Sequence, residues 1–103
     1  MITTELIPAE VLSLIPGVWK NQTTKDTWHF KPAKNTGYNP MEIIQIGSGI
    51  RFTYGYKTFI EEKMLFIDID YEYFQVIAIN SVSPLSITLK NNVGKLILLH
   101  KVS

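Results

Sequence analysis

The sequence predicts an all-β fold: an antiparallel up-and-down meander that curls into a barrel of about eight short strands, with one short N-terminal helix. Three observations lead there. Apolar and polar residues alternate with period two through most of the chain, the pattern of strands with one buried face. Short polar stretches rich in Gly, Asn, Pro or Thr separate these segments, as turns do. The longest strand signal, Met64 to Asn80, exceeds the roughly ten residues that a single strand reaches. It therefore reads as two strands, joined near Asp70 to Tyr73 by a turn that no Asn-Gly or Gly-X pair marks.

Residues 1–16 hold the helix candidate, Pro8 to Ile15. Pro8 suits a first helical turn, Pro16 stops the helix, and Val11, Leu12 and Ile15 recur at helical spacing. A helix this short docks as a lid over one end or face of a sheet. Gly17 then allows a tight entry beside Trp19, the large anchor of the first strand. After the polar turn Gln22 to Asp26, Thr27 to Lys31 alternates as a second strand. Pro32 to Glu42, with two prolines and a glycine, forms the longest loop, and long loops are often functional. Glu42 to Ile46 is the third strand and Gly47-Ser48-Gly49 the turn that ends it.

The fourth strand, Ile50 to Ile60, sets Phe52, Tyr54, Tyr56, Thr58 and Ile60 on one face, and Gly55 within it suggests a bend or bulge. Glu61 to Lys63 turns the chain into Leu65, Ile67 and Ile69, which alternate with Phe66, Asp68 and Asp70. In the next strand Phe74, Val76 and Ala78 alternate with Gln75, Ile77 and Ile79, apolar on both faces, as expected of a strand covered on both sides or carrying a bulge. Ser81 to Pro84 turns into Leu85, Ile87 and Leu89. Asn91 to Gly94 then leads to the last strand, whose Leu96 to Leu99 is again apolar on both faces.

Composition narrows what such a barrel does. At 103 residues the chain is one domain, 1–103, with a single core. A formal net charge of +1 without any cluster of Lys or Arg gives no footprint for nucleic acid. The apolar runs are too short for a helical membrane span. With no cysteine there is no disulfide, thiolate metal site or Cys nucleophile. The N-terminus lacks the basic start and apolar core of a signal peptide. An intact N-terminus implies the cytoplasm, whereas removal of an export signal implies the periplasm or the exterior.

Gly17-Val18-Trp19 after a short helix candidate, then Phe30, a Gly-rich turn, Leu85-Ser86-Ile87-Thr88-Leu89 and a final Leu98-Leu99-His100-Lys101, resemble the small bacterial lipocalin-like domains of the calycin type. Those domains open with G-x-W on the first strand. The resemblance spans nearly the whole chain, although the C-terminal helix of larger lipocalins is not seen in it. It implies an up-and-down barrel whose Trp, here Trp19, packs across one closed end beside a basic residue, for which Lys101 and Arg51 are both candidates.

The candidate site follows from barrel geometry. Every second residue points inward, and an interior rich in aromatics suits a small apolar ligand. Trp28, Phe52, Tyr54, Tyr56 and Tyr73, near the Pro32 to Glu42 loop, are the candidate ligand-binding residues, provided that Tyr54 and Tyr56 face in. No cofactor, metal site or enzymatic role is expected. An eight-stranded barrel is also narrow enough to be filled by its own side chains. The alternative is therefore a protein-interaction domain with a filled core, dimerising through Ile77, Ile79, Ile97 and Leu99. Asp68, Asp70 and Glu72 fall at spacing two on one strand face and read as a solvated outer wall. His29 and His100 have no nucleophile or carboxylate at a diagnostic spacing.

Overall fold

The computed structural model describes residues 11–34, 37–80 and 85–102. Eight strands run in chain order: β1 (Gly17–Asn21), β2 (Thr27–Phe30), β3 (Asn39–Ile44), β4 (Arg51–Glu61), β5 (Met64–Ile69), β6 (Glu72–Asn80), β7 (Ser86–Asn91) and β8 (Leu96–Lys101). Each pairs antiparallel with the next, and β1 pairs with β8 to close the barrel, which leaves no edge strand. The β1–β2, β3–β4, β5–β6 and β7–β8 turns therefore share one end of the barrel. The described segment before β1 and the β4–β5 turn lie at the other; the expected turn Ser81 to Pro84 falls outside the described residues.

Inward positions follow the predicted alternation. Trp19, Phe30, Met41, Tyr56, Ile67, Ile87, Leu89 and Leu99, each at most 1% exposed, fill the half of the interior nearer the β1 entry. Tyr56 faces in and meets Phe30 edge to face, with ring centroids 4.9 Å apart. Its hydroxyl donates to the Lys31 carbonyl, so the polar end of a core ring is satisfied.

Trp19 closes that end. Its Nε1–H donates to the Ile15 carbonyl at 2.8 Å, while Lys101 Nζ lies 5.3 Å from the Trp19 ring and donates to the carbonyls of Leu14 (2.5 Å) and Pro16 (3.1 Å). Of the two basic candidates, Lys101 is thus the partner. Arg51 sits at the far end and pairs with Glu42 at 2.9 Å. Gly17 holds φ of 139°, a conformation that side chains rarely adopt, which explains a glycine at the entry to β1.

The helix expected over Pro8 to Ile15 begins outside the described residues. Within them Val11 and Leu12 are helical, then the chain turns, with Leu14 N–H bonded to Val11 O at 2.8 Å and Ile15 N–H to Leu12 O at 3.4 Å. No helix stands as an element among the described residues. Val11 and Ile15 are nevertheless buried, so this segment packs under the barrel as a plug.

The structure corrects several other expectations. The long loop ends at Tyr38, because β3 starts at Asn39, paired with Tyr56, rather than at Glu42. Pro40 sits in β3 with its carbonyl accepting the Lys31 N–H at 3.0 Å, while the Lys31 carbonyl opposite, which proline has no N–H to meet, accepts the Tyr56 hydroxyl instead. Gly55 marks no bulge; it makes room for Tyr38, whose Cβ would lie 3.0 Å from a Cβ added at 55. The bulge falls in β6, where the register shifts between Val76 and Ala78. Phe74 and Val76 face in before it and Ile79 after it, which accounts for a strand apolar on both faces.

The structure also breaks up the expected association face. Ile79 packs against the core, Leu99 is fully buried and Ile97 borders the interior, so of that set Ile77 alone is exposed. Outward-facing Leu96 and Leu98 are exposed instead.

The acidic row is likewise not one solvated face. Asp68 points outward but is only 1% exposed, covered by Tyr38, whose hydroxyl donates to Asp68 Oδ2 at 2.6 Å. Tyr71 N–H bonds the other oxygen at 2.8 Å. Asp70 lies in the β5–β6 turn, and Glu72 pairs with inward-facing Ile69.

Candidate functional site

The half of the interior away from Trp19 is not filled. A cavity of ≈ 320 Å³, open to solvent, lies at the end shared by the β1–β2, β3–β4, β5–β6 and β7–β8 turns. Its apolar walls are the last inward residues of the strands: Trp28 of β2, Ile43 of β3, Tyr54 of β4, Ile69 of β5, Phe74 of β6 and Ile97 of β8. Asp70, Glu72, Asn91 and Lys95 supply its polar lip. A second lobe of ≈ 220 Å³ adjoins it, bounded by Asn21, Thr24, Asp26 and Leu96 and sharing Trp28, Ile43, Lys95 and Ile97 with the first. Trp28, Ile43, Lys95 and Ile97 therefore line both.

Local structure fixes the lip. Asp70 Oδ1 accepts the Gly55 N–H at 2.8 Å, and Asp70 N–H donates to Gly55 O at 2.9 Å, so the β5–β6 turn is clamped to the middle of β4. Asn91 Oδ1 accepts the N–H groups of Val93 (3.1 Å) and Lys95 (2.8 Å), which orders the β7–β8 turn and places Lys95 at the opening. Asn21 Oδ1 does the same for Thr23 (2.9 Å) and Thr24 (3.2 Å) in the β1–β2 turn. Asp26 Oδ1 holds the Ile46 N–H at 3.1 Å and thereby ties the β3–β4 turn to β1–β2.

The five sequence-predicted site residues separate. Trp28 and Tyr54 line the mouth. Tyr56, on the same face of β4, lies deeper, in the filled half. Phe52 pairs with Ile43 at the tip side of β4 and is 42% exposed. Tyr73 is on the outer wall, against Phe59 at 5.5 Å, and Phe59 in turn stacks on Phe66 at 5.1 Å. The Pro32 to Glu42 loop belongs to the closed end, not to the mouth.

Sequence reasoning missed Ile43, Ile69, Phe74, Ile97 and the charged lip. A usable signal existed. In an up-and-down meander every other turn meets at the same end, so the inward residues flanking alternate turns must surround one opening.

The titratable groups with displaced protonation lie away from the mouth. Burial and the hydrogen bond to Asp68 hold the Tyr38 phenol well above its ordinary range. Burial raises the Tyr56 phenol and lowers the Lys101 ammonium. The Arg51 and Lys31 hydrogen bonds hold Glu42 below the usual carboxylate range, on the outer wall. Among the described residues no group of three or more His, Asp or Glu is placed to hold a metal ion, and no helix is long and apolar enough to cross a membrane. In comparisons with known proteins, the chain matches no family model, no curated protein and no solved structure.

Proposed function

We propose that this barrel is a non-enzymatic binding module that takes a small apolar ligand into the mouth opposite Trp19. The observation that carries the reading is the ≈ 320 Å³ cavity walled by Trp28, Ile43, Tyr54, Ile69, Phe74 and Ile97. That volume lies at the lower end of small-molecule sites, about 300–1,000 Å³, and apolar walls with a few polar groups at the lip are their usual composition. Lipocalin-like architecture supports the same reading by analogy of fold alone. Both histidines sit outside the mouth, and their positions on β2 and β8 alternate with its wall residues Trp28 and Ile97.

Titration with an environment-sensitive apolar fluorophore tests it. Saturable binding is expected, and Ile97→Trp, which fills the wall shared by both lobes, is expected to weaken it at least about tenfold, the effect of losing roughly 1.4 kcal/mol. Unchanged binding by a folded Ile97→Trp variant would place the fluorophore elsewhere and defeat the proposal.

A second reading has its own observation. Ile77 and Leu98 are exposed on the outer wall beside a shallow ≈ 160 Å³ groove bordered by Ala78, Thr88, Leu98 and His100. Apolar exposure of this kind marks association surfaces. Sedimentation across a wide concentration range separates the readings: a persistent monomer removes self-association through this wall.

A further inference from the structure

We infer that the ligand of this mouth is a compact aromatic molecule of one or two rings, not an extended hydrocarbon chain, an inference that rests on reading the mouth as a ligand site. Shape and wall chemistry both point there. The cavity of ≈ 320 Å³ ends on a packed floor, since Phe30, Tyr56, Ile67 and Leu89 in the filled half are each at most 1% exposed. Interiors packed in this way hold few voids larger than a water molecule, so a long chain has no path onward toward Trp19. A volume near the lower end of small-molecule sites, about 300 Å³, suits a short, broad occupant.

The walls favour a ring. Three of the six apolar wall residues, Trp28, Tyr54 and Phe74, are aromatic, and they come from three strands, β2, β4 and β6. Elsewhere the barrel pairs its rings: Phe30 with Tyr56 in the core, Phe59 with Phe66 and Tyr73 on the outer wall, Tyr38 with Tyr71. Tyr54 and Phe74 contact no other ring among the described residues. Trp28 meets one, Phe30 of the filled half, with centroids 6.3 Å apart and planes at 60°. A planar aromatic entering the cup supplies the missing partners. Ring pairs in edge-to-face or offset arrangements gain more than their buried area alone, an advantage that a saturated ligand of the same skeleton lacks.

The full-length chain is titrated calorimetrically with four neutral probes: 2-naphthol, its saturated counterpart decahydro-2-naphthol, 1-octanol and 1-decanol. The aromatic probe is expected to bind about two- to tenfold more tightly than the saturated one. Octanol and decanol should agree within about threefold, whereas an interior that admitted both added methylenes would separate them by about tenfold or more. Phe74→Leu removes a ring and keeps an apolar wall, so it should bring the two naphthol probes together; Tyr54→Leu, at a half-buried position, repeats the test on a second strand. A saturated probe that binds as tightly as the aromatic one, a tenfold gain from octanol to decanol, or a preference that survives both substitutions in folded chains would overturn the aromatic inference and leave the mouth as an apolar site. Absence of heat for all four, together with unmoved amide resonances of Trp28 and Ile97, would overturn the cavity reading itself, and the inference with it.

Discussion

Glu62 (φ 51°) with Lys63 (66°), and Asp70 (46°) with Tyr71 (72°), put four L-residues into left-handed backbone at the two-residue turns flanking β5. Consecutive positive φ angles fit the twist of a tight hairpin, which is why Asn-Gly is the usual choice there. These turns lack that signature, so the sequence shows where they fall only through strand length. Each non-Gly residue in this conformation costs about 1–2 kcal/mol, partly offset in glycine by its greater freedom when unfolded. Lys63→Gly is thus expected to raise the unfolding free energy by about 0.5–1 kcal/mol, measured by chemical denaturation. Trp19 was legible as an anchor because a buried indole after a glycine has few other uses. Its partner was not, since nothing in the order of residues distinguishes Lys101 from Arg51 as the cation beside it. Lys101→Met should cost about 1.5–3 kcal/mol, the range for hydrogen bonds to charged groups, because the carbonyls of Leu14 and Pro16 lose their donor. Arg51→Met, which breaks an exposed pair, should cost less than about 1 kcal/mol in the same assay.

Among the elements, β4 and β6 carry the irregularities. In β4, Gly55 lets the Tyr38 ring lie directly on the backbone, next to Lys57 (4.9 Å from the ring centroid) and Tyr71 (5.3 Å between centroids). Gly55→Ala is expected to push Tyr38 aside at a cost of about 1–3 kcal/mol, and Tyr38→Ala in the same chain should cancel most of the added penalty in a double-mutant cycle. In β6 the extra residue Ile77 separates inward Val76 from outward Ala78 and inward Ile79. Deleting Ile77 restores plain alternation and leaves every other side chain on its own face, so a cooperative thermal transition should survive. Deleting Thr88 from β7, opposite Ala78, reverses the faces on one side of the cut and should abolish that transition. The doubly apolar pattern of β6 permitted a bulge or cover on both faces, and only the pairing with β7 distinguishes them.

At the scale of the whole molecule, the barrel divides into a closed, filled end and an open, charged one. Two buried or covered phenols make the stability depend on pH in the alkaline range. Tyr38 and Tyr56 both have phenols raised above the ordinary value of 10.0, chiefly by burial. The unfolded chain therefore loses these protons first, and the stability they contribute is complete below that value and falls as pH rises through the folded values. A denaturation series into the alkaline range should show this loss, and Tyr38→Phe should flatten it. At the open end the carboxylates of Asp70 and Glu72 lie at the surface of the lip.

Period-two alternation made about eight strands, the all-β meander and Trp19 as an anchor legible in the sequence, because a strand with one buried face can be read without its partner; it left open which face of β4 and of the doubly apolar β8 points inward. Tertiary structure alone decided which residues meet. Asp68, polar and expected to be solvated, is buried because Tyr38, thirty positions earlier, folds over it. Ile43, Ile69, Phe74 and Ile97 come to surround one opening only because β1 pairs with β8 and brings alternate turns to a common end. Whether the narrow interior is filled or hollow also lay beyond alternation: it depends on how side chains from eight strands share a volume, and here they fill one half and leave the other open.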